Sequence, residues 1–325
     1  MNRNKKNVWL DGIMGVATGD ALGLPVQFMR REELNQNPVT SMEGDNQFRT
    51  PAGTWSDDTS MTMAILGSML EKEMIDPVDI MSQFEAWLYN AEYCALDTAI
   101  DIGTTCGMSI DRFHENKDIM KCGSTGEYAN GNGSLMRTLP ICIYYAKKVH
   151  GNESTVEEAV RKISLVSALT HNHPRACIGC CLYFFCVKSI LFEEGDLKKK
   201  LQKGIYDGFT YYEKDMDMLE QATYYSRTLD IEKFAKTDVG MIKSSGYVVD
   251  SFEAAIWSLI TTDSLKECLL KAVNLGDDSD TVGAIAGGLA GLYYGYESIP
   301  KEWLNKLVKR EWLEAMCKKA FSKFN

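Results

Sequence analysis

Imidazole is scarce in this chain, which has four histidines in 325 residues. A zinc site usually draws on His and Cys together, and the second Cys-x-x-Cys that would turn Cys177-x-x-Cys180 into a metal or redox pair is missing. Cys177, Cys180 and Cys181 instead open an apolar run, and the rest of the ten cysteines are scattered. They are expected as buried free thiols in a reducing compartment rather than as a disulfide framework. Positive charge is short as well. With 35 basic against 45 acidic side chains the formal net charge is -10, so neither nucleic-acid phosphates nor an anionic membrane is an expected partner. Asp11 and Asp20 interrupt the first apolar segment, which argues against a signal peptide or a membrane span and for a cytoplasmic location.

Strand patterns are nearly absent too: few segments alternate apolar and polar residues, and no repeat or low-complexity linker appears. Helical spacing fills most of the chain, so the expected fold is all-α, in one domain over residues 1–325. Helices are expected over 9–28, 63–70, from Asp76-Pro77 onward, and over 95–102, 139–149, 156–169, 177–192, 248–261, 264–273 and 300–324. Residues 208–228 are read as helical packing, and 117–138 as the main irregular stretch. Two segments carry glycine at every fourth position: Gly15, Gly19 and Gly23, then Gly283, Gly287, Gly291 and Gly295. Glycine costs a helix interior about 1 kcal/mol relative to alanine, so such rows predict a close backbone approach, either helix to helix or helix to ligand.

Acidic side chains are dense at two points. Asn274-Leu275-Gly276-Asp277-Asp278-Ser279-Asp280-Thr281 precedes the second glycine row, and Thr54-Trp55-Ser56-Asp57-Asp58-Thr59 precedes an apolar, helix-compatible run. Either knot alone reads as a helix cap. A cap needs one side-chain oxygen, however, and adjacent aspartates repel. Together Ser56, Asp57, Asp58, Asp278, Asp280 and Thr281 form a hard oxygen set suited to Mg2+, Mn2+ or Ca2+. Between the knots, Asn130-Gly131-Asn132-Gly133-Ser134-Leu135-Met136-Arg137 has the flexibility and donors to cradle phosphate oxygens. It reads equally as a tight turn with Arg137 in a structural ion pair. His171 is a candidate donor to a phosphate or ribose oxygen, and Asp101, after an apolar turn, is a candidate general base.

Six blocks, in order, resemble the ADP-ribosylglycohydrolase family: Gly19-Asp20-Ala21-Leu22-Gly23-x-Pro25, Gly53-x-Trp55-Ser56-Asp57-Asp58-Thr59, Asp101-Ile102-Gly103-x-Thr105, Gly131-Asn132-Gly133-Ser134-x-Met136-Arg137, Thr170-His171-x-His173-Pro174 and Gly276-x-Asp278-Ser279-Asp280-Thr281. The branch typified by the dinitrogenase reductase-activating glycohydrolase is the nearest likeness. The resemblance implies a compact orthogonal multi-helix bundle with two Mg2+ or Mn2+ ions held by the six residues named above. It implies removal of ADP-ribose from a protein side chain, N-linked arginine first among them, by a metal-oriented water at C1 of the distal ribose. It also implies Asp101 and Asp58 as catalytic groups, and Gly131, Asn132, Gly133, Ser134, Met136, His171, Asp57 and Tyr247 as substrate contacts. Three departures stand out. Gln27 occupies a place where glutamate is common, Ser56 one where threonine is commoner, and Asp277 one usually held by glycine. Gln27 keeps open a catalytically impaired ADP-ribose binder or structural relative, and hydrolysis of another ADP-ribosylated small molecule is a further alternative.

Overall fold

The glycine rows face each other. In the computed structural model, which describes residues 6–44 and 49–324, helix Val8–Gly23 lies along helix Ser279–Tyr294. A methyl group added at Gly15 would sit 2.1 Å from the carbonyl oxygen of Gly287, and one at Gly19 2.0 Å from that of Gly283. The two main chains therefore touch directly, with no side chain between them. Of the two options the sequence left open, helix against helix is the one observed. Gly19→Ala is expected to destabilise the protein by about 3 kcal/mol despite alanine's better helix propensity, because the clash is with rigid backbone. A urea-unfolding midpoint equal to or above the parent's would show that the seam is not closed.

Around this pair the described residues form seventeen α-helices with short 3-10 turns and no strands; single bridges join Ser124 with His171 and Gly131 with Tyr247. The all-α expectation holds. Helix Pro174–Phe192 is long and apolar enough to cross a membrane, but 78% of that window is buried inside the protein, so it is the core helix. It carries Cys177, Cys180, Cys181 and Cys186, and all ten cysteines are buried and free. Asp76 caps helix Pro77–Asn90 as its sequence suggests, accepting from the N–H groups of Val78 and Asp79. Residues 208–228 are helical through Leu197–Tyr212, Met216–Ala222 and the 3-10 turn Thr223–Leu229. The basic residues 1–5 lie outside the described part.

Several helix boundaries differ from the sequence reading. The first helix stops at Gly23, gives way to the 3-10 turn Leu24–Val26, and is followed by Phe28 at φ 63. Residues 95–102 are not helical: the chain enters that stretch through Ala91 and Tyr93, both at positive φ, and leaves it through Asp101 at φ 55 before helix Thr104–Asn116 begins. Residues 300–324 break into Lys301–Lys306 and Arg310–Phe324 around Lys309 at φ 51. There the N–H of Val308 donates to the Gly53 carbonyl and Trp55 Nε1 to the Val308 carbonyl, so the break fastens the loop ahead of the first acidic knot. The 117–138 stretch is irregular apart from the short turns Ile119–Cys122 and Glu127–Ala129.

Candidate active site

Both acidic knots sit at helix starts, yet capping does not account for their aspartates. In helix Asp57–Lys72 the cap is Ser56, whose hydroxyl accepts from the Asp58 N–H. More of the work falls to Asp20, reaching across from the first glycine helix. It accepts from the N–H of Ser56 at 2.9 Å, the N–H of Thr59 at 3.0 Å and the Thr59 hydroxyl at 2.5 Å. Asp278 holds the cap position of helix Ser279–Tyr294, but its side chain accepts from Asn132 Nδ2 at 2.6 Å and not from its own helix.

The side chains freed from capping converge. Asp20, Asp58 and Asp280 are fully buried and each offers one carboxylate oxygen within 4.8 Å of the others. Ser56 Oγ donates to Asp58 Oδ2 at 3.1 Å and Thr281 Oγ1 to the same oxygen at 3.4 Å. Asp58 Oδ1 and Asp280 Oδ2 are buried without any hydrogen-bond partner. Burial first, and then mutual repulsion, pushes Asp57, Asp58 and Asp280 well above the usual carboxylate range; burial also raises Asp278, and it raises Asp20 to about 6 against the pull of its hydrogen bonds. Buried carboxylates without a counter-charge are costly. Orphaned carboxylate oxygens with hydroxyl neighbours, and no nitrogen or sulfur donor in the cluster, fit a hard divalent cation. Asp20 is the residue the sequence reading left out of the ligand set, although it stood in the first family-like block. An acid in a helix with glycine on one face and apolar residues on the others was the available signal.

Next to the cluster lies a cleft of about 210 Å³, lined by Gln27, Phe28, Asp57, Asp101, Gly131, Asn132, Gly133, Met136, His171, Asp278 and Thr281. Of the two knots, Asp57, Asp278 and Thr281 thus line the cleft, whereas Ser56, Asp58 and Asp280 do not. Gln27 Nε2 donates to Asp101 Oδ2 in a short hydrogen bond, while burial raises the Asp101 carboxyl and that bond opposes the rise. Asn132 Nδ2 bridges Asp278 and Ser251 Oγ, tying the glycine loop to the second knot. Two expected substrate contacts are placed elsewhere. The Ser134 hydroxyl accepts from Ser167 at 2.8 Å and neighbours Cys180, behind the loop. Tyr247 pairs through its backbone with Gly131, and its hydroxyl accepts from Arg175. Arg137 makes no ion pair among the described residues. It is 1% exposed, stacks on Phe84, and donates to the Gly133 carbonyl and to Thr170 Oγ1. Asp277 stands at φ 61, which explains why glycine suits that position. Its carbonyl accepts from Phe28 N–H at 2.6 Å and its N–H donates to the Met29 carbonyl at 2.8 Å, clasping the Gln27 segment to the knot. A larger groove of about 760 Å³ between Leu197, Tyr206, Leu259 and Tyr294 contains none of these residues.

A family model described as ADP-ribosylglycohydrolase matches residues 2–325. An ADP-ribosyl-[dinitrogen reductase] glycohydrolase from Rhodospirillum rubrum is 31% identical over 93% of this chain and 92% of its own length. ADP-ribosylarginine hydrolase Tri1 from Serratia proteamaculans is 29% identical over 95% of this chain and 77% of its own, and human ADP-ribosylhydrolase ARH3 is 25% identical over 90% and 86%. Among solved structures, a chain of an ADP-ribosylglycohydrolase-related protein complex superposes with a TM-score of 0.77 at 25% identity, covering 98% of each chain.

Proposed function

Because the chain belongs to the ADP-ribosylglycohydrolase family, we propose that it hydrolyses the bond between C1 of the distal ribose of ADP-ribose and an acceptor side chain of a protein, the arginine guanidinium in particular. The observation that carries this reading is the pair of unpartnered oxygens, Asp58 Oδ1 and Asp280 Oδ2, buried beside a cleft that also holds Asp101. Ser56, Asp57, Asp58, Asp278, Asp280 and Thr281, with Asp20 added, would hold two Mg2+ or Mn2+ ions. When bound, these would neutralise the clustered acids and supply Lewis-acid polarisation of the ribose.

The chain's own residues do the rest. Asp101, on the cleft wall, moves the proton of the attacking water or of the leaving nitrogen, and Gln27 fixes one of its oxygens by donation. The Gly131–Gly133 segment lets backbone approach the pyrophosphate, and His171 packs against it: a methyl group at Gly133 would come within 2.8 Å of the imidazole. Asp57, at the mouth of the cluster, is placed to accept from ribose hydroxyls. The test is incubation of arginine-ADP-ribosylated peptide with the Mg2+- or Mn2+-loaded protein; a metal-replete protein that releases no ADP-ribose sinks the reading. A simpler check comes first. Adding Mn2+ at 100 times its Kd to chelator-stripped protein should raise Tm by roughly 5 °C, since ligand binding at that excess contributes about 2.7 kcal/mol. An unmoved Tm would mean that the acid cluster holds no ion.

A further inference from the structure

His171 sits behind the glycine loop with its two ring nitrogens in different surroundings. Nε2 faces Gly131 and Gly133, lying 3.3 Å and 3.2 Å from where their methyl groups would be, on the wall of the cleft. Nδ1 lies 2.8 Å from Thr170 Oγ1. A neighbour makes Thr170 available as the donor in that second contact. Arg137 Nη2 donates to the same Thr170 oxygen at 2.7 Å, and a guanidinium can only donate. Thr170 is therefore an acceptor toward Arg137, and its single hydroxyl proton is free to go to His171. We propose that Arg137 and Thr170 are positioning residues that lock His171 as the Nε2–H tautomer, making it a neutral donor to an anionic oxygen of the substrate held at the glycine loop.

The chain of donation runs Arg137 to Thr170 to Nδ1, leaving Nε2 as the ring's only N–H. Arg137 is held in its donor role: it is 1% exposed, has no carboxylate partner among the described residues, and its other terminal nitrogen donates to the Gly133 carbonyl. The same guanidinium thus pins the loop and orients the ring packed against it. Burial and the nearby Arg137 lower His171 to about 3, in keeping with a neutral ring. A fixed neutral donor suits a pyrophosphate lying close to a buried acid cluster: it offers a hydrogen bond without a titrating charge. The inference rests on the ADP-ribose reading for the identity of the anion, but not for the state of the ring.

Long-range 15N–1H correlation of the histidine rings in the full-length protein tests it, with His171 assigned by the signals lost in His171→Asn. The expected spectrum shows an unprotonated Nδ1 and a protonated Nε2 in the parent and in Thr170→Ser, and a mixture of tautomers in Thr170→Val. ADP-ribose affinity measured by calorimetry should fall roughly 10-fold in Thr170→Val and recover in Thr170→Ser, the size expected for a weakened hydrogen bond to a charged acceptor. An Nδ1–H ring in the parent overturns the relay, as does a Thr170→Val protein with the parent's tautomer and affinity. An Nε2–H ring in a parent protein that binds no ADP-ribose supports the relay and overturns the substrate reading instead.

Discussion

Asp58→Asn should lose divalent-ion binding and all measurable hydrolysis while folding as well as, or better than, the metal-free parent. Asp58 Oδ2 accepts from Ser56 and Thr281, roles an amide oxygen can keep. Its other oxygen, partnerless and buried on a carboxylate that clusters with those of Asp20 and Asp280, becomes an NH2 group. Two effects then oppose each other across the two states. In the metal-loaded state a donor now points where a cation must sit, so affinity collapses. In the metal-free state that donor meets carboxylate oxygens which otherwise repel, and one buried like charge is gone. Calorimetric titration with Mn2+ and a thermal melt in chelator check both halves. An Asp58→Asn protein that binds metal as the parent does, and still releases ADP-ribose, refutes the ligand set.

Asp101→Asn should slow turnover by about 10^2- to 10^4-fold with ADP-ribose affinity little changed, the range usual for loss of a general acid-base group. The structure sharpens this expectation through Gln27, whose amide donates to the Asp101 carboxylate. An asparagine at 101 can still accept that bond, so loss of rate reports proton transfer and not a displaced side chain. Gln27→Glu is the complement. It replaces a donor with a second carboxylate against Asp101, and should either slow the reaction or draw an extra cation into the cleft. Near-parent turnover by Asp101→Asn, or a loss confined to ligand affinity, makes Asp101 a binding residue. Single-turnover rates alongside calorimetric affinities separate these cases.

How far the sequence led depended on whether a residue's meaning was local. The two knots were legible because clustered acids ahead of helical runs exceed what capping requires, and the partnerless oxygens of Asp58 and Asp280 bear out that excess. The glycine rows were legible because a helix bears their entropic cost only where something must come close. Asp20 was not, since an acid in an otherwise glycine-and-apolar helix signals burial without naming its partners; those are Ser56 and Thr59, which lie 36 and 39 residues further on. Residues 95–102 were misread because their apolar spacing suits a helix, whereas the fold needs an open loop there to turn Asp101 into the cleft at φ 55. Lys309 broke the last helix for a similarly distant reason: Trp55 and Gly53 required a strap. Tertiary demands overrode local propensity in both places.

The glycine seam also bears on how the protein can be made. The helix Val8–Gly23 has as its mate Ser279–Tyr294, which is translated far later. Until that second helix emerges, the bare backbone of Gly15 and Gly19 has nothing to lie against, and the Asp20 carboxylate lacks the Asp280 end of its cluster. Folding from the N-terminus, the usual order during synthesis, therefore cannot close this molecule. A nascent chain stalled before residue 279 should remain open to protease at its first helix, and the seam should close only once the helix Ser279–Tyr294 has left the ribosome.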